Sequence, residues 1–281
     1  MSVYTNRESL LATLKPWRKI KTIGFVPTMG ALHQGHLTLV NAALKENDCV
    51  VVSIFVNPTQ FNNAEDLDKY PRNLNTDVAL LKSLGENIII YAPEASDLYG
   101  DEITATNYDF QGLEHEMEGK HREGHFNGVG TILNIFFRIV EPDNAYFGEK
   151  DFQQLQIVKK LVEIENLPVN IVGVPIVREE SGLALSSRNE RLTESQRKEA
   201  MLISKTLKEV KQQYSSHTIS ELNRFVKETF DKNDQLTLEY FEIANEETLK
   251  TVSEKSKNQT HRAFIAVFAG EIRLIDNMAL N

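Results

Sequence analysis

Two histidines three residues apart, His33 and His36 in "PTMGALHQGH" (27–36), follow an apolar segment, "TIGFVP" (22–27), and flank Gly35, with Gly30 just upstream. Residues 37–46 then show a helical pattern. A strand, a glycine turn and a helix start together make an anion site, because first-turn N–H groups lack helical partners and the dipole is positive there. His36 is expected in that first turn, so imidazole and backbone donors would gather around a phosphate. Donors fixed in advance stabilise charge moving among phosphoryl oxygens by ~3 kcal/mol each. The spacing is neither G-x-G-x-x-G nor a P-loop. Two other readings of the pair stay open here: a metal site, which needs at least one more ligand, and a purely structural pair.

Five further stretches carry polar groups in useful places. In "FVNPTQF" (55–61), Asn57 and Gln60 flank a proline-stiffened turn after a second apolar segment, where open α/β sheets bind ligands; alone it reads equally as a polar loop. "YPRNLNTD" (70–77) offers Arg72 and Asp77; Asp77 is either a Mg²⁺ ligand acting with phosphate oxygens or a first-turn helix acid. "HEMEGKHREGHFNGVG" (115–130) holds His115, His121 and His125 at spacings of six and four, which match no common metal site. It reads as a loop closing over a ligand with Arg122 supplying charge, or as a solvated loop. In "FGEKDFQQLQ" (147–156), Lys150 opposes a helix dipole unless an anion binds there, while Asp151 could be an N-cap. "LALSSRN" (183–189) puts Ser186, Ser187, Arg188 and Asn189 in a row; Arg188 can clamp a phosphate with two parallel bonds, or the segment is a turn before a cap at Thr193.

The elements that must position these groups alternate. Strands are expected at 22–27, 49–56, 87–93, 144–148 and 169–177, with helices over 37–46, 74–85, 128–143 and 151–167 between them. That alternation predicts an open parallel α/β sheet with right-handed crossovers. After about residue 178 the order changes to two helices and then three strands, which predicts a separate α+β unit. The domains are thus expected at 1–177, Rossmann-like, and 178–281, smaller and covering the cleft. Hydrophobic residues at 41% and charged residues at 25% give a globular composition with a substantial core. Net charge −9 argues against nucleic acid, which needs a basic face, but leaves a small anion possible. No apolar run reaches membrane length, and "MSVYTNRESLLATLK" has no signal core. The single cysteine, Cys49, excludes an internal disulfide and reads as a buried small hydrophobe. A cytoplasmic protein is expected.

In this order, "PTMGALHQGH", "FVNPTQF", "YPRNL", "GHFNGV", "FGEKDFQQL" and "LALSSRN" resemble the pantothenate synthetases, over about residues 1–281. The "H-x-G-H" stretch and serine-rich loop are also similar to those of class I aminoacyl-tRNA synthetases and nucleotidylyltransferases. The resemblance implies an ATP- and Mg²⁺-dependent ligase of pantothenate and coenzyme A biosynthesis. Pantoate attacks the α-phosphorus of ATP to give an enzyme-bound pantoyl adenylate and pyrophosphate; β-alanine then displaces AMP. It implies ATP contacts at Met29, Gly30, Ala31, Leu32, His33, Gln34, Gly35 and His36, at Gly148, Glu149, Lys150 and Asp151, and at Val177, Leu185, Ser186, Ser187 and Arg188. His36 matches the family's proton donor, with His33 and Lys150 beside it in the chemistry. Gln60 and Gln154 match the pantoate glutamines, Gln60 also lies near β-alanine, and Asn57 and Arg122 are assigned to the pantoate pocket. A homodimer is implied. Leu185 stands where many relatives carry methionine. A nucleotidylyltransferase and a non-catalytic nucleotide sensor are the competing readings.

Overall fold

The computed structural model describes residues 2–62 and 64–281. In chain order its helices and strands are β1 (Ser2–Tyr4), α1 (Arg7–Leu14), β2 (Ile23–Thr28), α2 (Gln34–Glu46), β3 (Cys49–Ile54), α3 (Ala64–Lys69), α4 (Leu74–Lys82), β4 (Ile88–Tyr91), α5 (Ala95–Tyr99), α6 (Met117–His121) and α7 (His125–Val140). They continue with β5 (Asn144–Gly148), α8 (Phe152–Ile164), β6 (Asn170–Val174), α9 (Glu194–Gln213), α10 (Ile219–Phe230), β7 (Leu236–Asn245), β8 (His261–Ala269) and β9 (Ile272–Ala279). The chain divides into two compact units. One comprises Met1–Glu114, Gly119–Glu149 and Gln154–Pro175; the other comprises His115–Glu118, Lys150–Gln153 and Ile176–Asn281.

The first unit holds a six-stranded sheet, all of its pairs parallel, in the order β1-β4-β3-β2-β5-β6. Both faces are covered, which is why its strands read as near-continuous apolar runs. Val26, Val50, Val52, Ile88 and Ile90 pack with Leu37, Val40 and Ala43 of α2 and with Leu81 of α4. Phe25 meets Phe136 and Phe137 of α7 edge-on. From β2 the chain builds outward through β3 and β4, then returns to β2's other flank with β5. The β2–β5 ladder consists of Gly24–Asn144 and Phe25–Ala145 and runs no further toward the carboxyl ends. Pro27, which has no N–H to offer a ladder, lies two residues beyond Phe25, the last residue of β2 paired with β5. Open α/β sheets bind ligands at such a topological switch point.

The second unit packs α9 and α10 on an antiparallel sheet ordered β7-β8-β9. Both helices start on threonine capping boxes. Thr193 accepts from the Gln196 N–H and Thr218 from the Glu221 N–H, each at 3.2 Å, with the Gln196 and Glu221 side chains returning the bond. Apolar Ala200, Ile203, Leu207 and Val210 of α9 then fall on one face, toward the sheet residues Ile265, Val267 and Leu274.

Five elements have no counterpart in the sequence reading: β1, α1, α3, α5 and α6, the last lying in the stretch read as a loop. Strand β1 is three residues long, too short for any alternation to register, and pairs with β4 at the sheet edge. Helix α1 begins where the Asn6 side chain accepts from the Ser9 N–H at 2.9 Å. The expected boundaries also shift. Helix α2 starts at Gln34 rather than 37, because His33 caps it, and α7 starts at His125 rather than 128, after a left-handed Gly124.

Candidate active site

At the carboxyl end of β2 the backbone makes two consecutive left-handed residues, Gly30 (φ 80°) and Ala31 (φ 51°). The Gly30 N–H donates to Thr28 Oγ1 at 3.2 Å, and that hydroxyl donates to the Ser53 carbonyl at 2.7 Å, tying the turn to β3. His33 then turns extended and caps α2. The two histidines build the cap between them: the Gly35 N–H donates to His33 Nδ1 at 3.1 Å, and the His33 N–H donates to His36 Nδ1 at 3.3 Å. Their ring centroids lie 4.2 Å apart. Because each Nδ1 accepts, each neutral ring carries its proton on Nε2. The pair thus reads as a helix cap made of imidazoles, set to present Nε2–H donors at a helix N-terminus.

The turn after β3 is locked differently. Asn57 is buried; its amide N–H groups donate to Gln60 Oε1 and to the Gly128 carbonyl of α7, both at 3.1 Å. Its Oδ1 accepts from Tyr99 OH at 2.6 Å and from Thr59 Oγ1 at 3.1 Å. His125 Nδ1 lies 2.8 Å from the Gln60 carbonyl. His125 is buried at the start of α7, so this histidine is part of a helix and not of a closing loop. Gln60 Nε2 donates to Met29 Sδ at 2.9 Å, which joins this turn to the glycine turn of β2. A thioether is a weak acceptor that a carboxylate or hydroxyl would outcompete.

Asp77 lies in the first turn of α4, 2% exposed. Its Oδ2 accepts the Ala31 N–H at 3.0 Å and its Oδ1 the Leu32 N–H at 2.8 Å. Both oxygens are engaged by the glycine turn, and among the described residues no three His, Cys, Asp or Glu side chains are grouped as a metal site. The residues therefore do not fit a protein-held Mg²⁺, and we assign Asp77 to the turn instead of to a cation. The N–H groups of Ala31 and Leu32 are likewise committed to this carboxylate.

The second unit carries its own cluster. Val177 and Leu185 are paired through the Leu185 N–H and the Val177 carbonyl at 2.9 Å, within a hairpin pinned by Arg178, which binds Asp276 at 2.6 and 2.9 Å. Ser186 caps the turn Ser187–Arg191 by accepting the Arg188 N–H at 3.3 Å. Asn189, 3% exposed, clips the turn shut: its Nδ2 donates to the Ala184 carbonyl at 3.0 Å. A small cavity beside it is lined by Lys150, Ala184, Ser186, Asn189 and Asp276 among others. Asn277 holds the Lys150 carbonyl at 2.9 Å. Lys150 and Asp151 lie in the turn before α8, with Nζ 3.8 Å from Asp151 Oδ1. Gln153, missed as a structural residue by the sequence reading, accepts the Glu118 N–H at 2.9 Å and donates to the Glu116 carbonyl at 2.7 Å. Gly148, Glu149 and Gln154 belong to the first unit, as does half-buried Arg122.

A doubly wound parallel sheet, an imidazole-capped helix after its central strand and a buried amide pair after the next define an α/β protein with its polar groups gathered at the carboxyl ends of the strands, where open sheets bind ligands. The family model for pantoate-beta-alanine ligase matches residues 2–279. The pantothenate synthetase of Christiangramia forsetii is 54% identical over 282 residues, covering 100% of both chains. The crystal structure of pantothenate synthetase from Thermus thermophilus superposes with TM-score 0.90 at 38% identity, covering 100% of this chain and 99% of that one. That of the Francisella tularensis pantoate-beta-alanine ligase, complexed with beta-gamma ATP and beta-alanine, gives TM-score 0.81 at 36% identity over 100% and 98%. The chain belongs to the pantoate-beta-alanine ligase family.

Proposed function

We propose that this ligase joins pantoate to β-alanine in two steps on one enzyme. The pantoate carboxylate attacks the α-phosphorus of ATP, forming pantoyl adenylate and pyrophosphate. The β-alanine amine then attacks the activated carbonyl, and AMP leaves. Family membership supports the overall ligation. The observation that supports the first step is the imidazole cap, in which Nδ1 of His33 and of His36 each accepts a backbone N–H at a helix N-terminus.

In this reading, Nε2–H of His33 and His36 donates to phosphate oxygens as charge shifts during adenylation. His36 acts as a hydrogen-bond donor rather than a proton-transfer acid. A neutral ring giving up Nε2–H would become imidazolate, and a ring protonated on Nδ1 would lose the His33 N–H bond. The Gln60 amide takes pantoate by exchanging Met29 Sδ for a stronger acceptor, with Asn57 holding Gln60 in place. Gln154 and Arg122 are assigned to pantoate, and Gln60 also to β-alanine. Gly30, Gln34, Gly35 and residues 148–149 are assigned to the nucleotide. Lys150, Asp151, Val177, Leu185, Ser186, Ser187 and Arg188 are also assigned to the nucleotide. The nucleotide enters as its magnesium complex, so the cation is part of the substrate. The enzyme works as a cytoplasmic homodimer; light scattering after gel filtration at twice the mass of the chain is the expected result.

The test is pyrophosphate release from ATP and pantoate. Without β-alanine, about one pyrophosphate per enzyme is expected and then a stall; with β-alanine, steady turnover with AMP. Continued turnover without β-alanine would instead show a nucleotidyl transferase. His36→Ala is expected to slow single-turnover adenylate formation by ~10²-fold or more while pantoate affinity changes less. An unchanged rate removes His36 from the mechanism.

A further inference from the structure

Two left-handed residues in succession are costly at Ala31, whose Cβ disfavours the φ of 51° that Gly30 adopts freely at 80°. Such a turn aims successive N–H groups at one point and makes a concave seat for a single anion. In this chain the seat is filled from within. Asp77 of α4 receives the Ala31 and Leu32 N–H groups on its two oxygens, at 3.0 and 2.8 Å, and is 2% exposed. The fit is close: a Cβ at residue 30 would stand 2.9 Å from Asp77 Oδ2 and 3.2 Å from Ile54 Cγ2. The residue directly after this seat is His33, whose extended backbone and side chain open α2 and set the ring of His36.

We infer that Asp77 is the positioning residue of the imidazole pair: an internal carboxylate that holds the left-handed turn of Gly30 and Ala31 and so fixes the orientation and tautomer of His33 and His36. It touches no substrate and binds no cation. Its charge takes the place in the turn that a phosphate would otherwise occupy, which leaves the imidazoles and the α2 N-terminus to meet the nucleotide. The link from ring position to rate rests on the function proposed above; the link from Asp77 to the rings does not.

Two readouts test it. In ¹⁵N-histidine NMR of the ligand-free enzyme, His33 and His36 are expected as Nε2–H tautomers. Asp77→Asn should turn them into mixtures, because the amide NH2 would face one of the two N–H groups donor to donor. Ala31→Gly added to Asp77→Asn should restore them, because glycine holds the turn without an anchor. In kinetics, Asp77→Asn should lower the adenylation rate by ~10-fold or more with little change in the KM for pantoate. Asp77→Asn combined with His36→Ala should be no slower than His36→Ala alone. Should Asp77→Asn not fold, Asp77→Glu, which keeps the charge but displaces it, is read in its place. Unchanged ring signals, failure of Ala31→Gly to restore them, or a defect cured by excess magnesium overturns the inference. Moved rings with a His36→Ala rate equal to wild type leave the role of Asp77 standing and remove the proposed role of His36.

Discussion

Gln60 shows how one side chain can be held rigid and still be open to exchange. Its oxygen is fixed by Asn57, while among the described residues its N–H group meets only the sulfur of Met29. A ligand oxygen that displaces a thioether gains most of a full hydrogen bond, since little is lost in the exchange. Under the proposed function, Gln60→Glu would replace the donor with a negative charge toward the pantoate carboxylate. We expect the KM for pantoate to rise ~10-fold or more, with a smaller change for ATP, in steady-state kinetics. At this scale the sequence shows which residue types stand together but not how each is held. His33 and His36 were legible as a donor pair, whereas the cap that orders them depends on a backbone that spacing alone does not reveal. Asp77 was visible as an acid with two possible roles. Its actual partners are 45 and 46 residues away, and only the tertiary fold connects them.

Helix α7 shapes the Asn57–Gln60 turn through the absence of a side chain. A Cβ at Gly128 would stand 2.2 Å from the Thr59 carbonyl oxygen and 2.7 Å from the Gln60 nitrogen. The helix therefore lies against the backbone of the Asn57–Gln60 turn and receives the Asn57 amide on its own carbonyl. Gly128→Ala should push this turn outward and raise the KM for pantoate, while the thermal midpoint falls only moderately. Kinetics showing an unchanged KM would argue that the turn yields elsewhere. Long elements with clear periodicity, such as α9 with its Thr193 cap, were readable from sequence because local chemistry and packing agree there. The start of α7 was not, because "REGHFNG" combines glycines with charges and looks like a loop. What makes it helical is burial of His125 and Phe126, a tertiary effect.

Within the second unit, Glu118 anchors the excursion His115–Glu118. Its carboxylate receives two bonds from Arg273, both at 2.7 Å, and one from Tyr240 OH at 2.8 Å, while Arg273 also binds Glu239. Burial and the neighbouring Glu118 charge push the Tyr240 phenol up, so it stays a donor. Glu118→Ala should destabilise this unit by about 2 kcal/mol, below the usual cost of breaking a buried pair because Glu239 still balances Arg273. Hydrogen exchange over residues 115–121 should rise with it. Acid should act on the same unit through His261, which is fully buried beside Tyr214 OH at 2.9 Å. Burial holds this imidazole below the ordinary 6.5, with Glu246 opposing. The unfolded chain therefore takes up the proton first, so the contribution is complete above about 6.5 and is lost as pH falls below it. Thermal unfolding followed from about pH 7 to 5 should show a decline that His261→Gln reduces.

Cys49 lies buried in β3, its thiol pushed up to about 11 by desolvation. It is the chain's single cysteine, and it holds almost no thiolate near neutrality. A cysteine introduced at exposed Met201 would thus be the sole handle for a maleimide dye, so fluorescence reporters can be attached at one chosen place with every native residue of the sheet left intact.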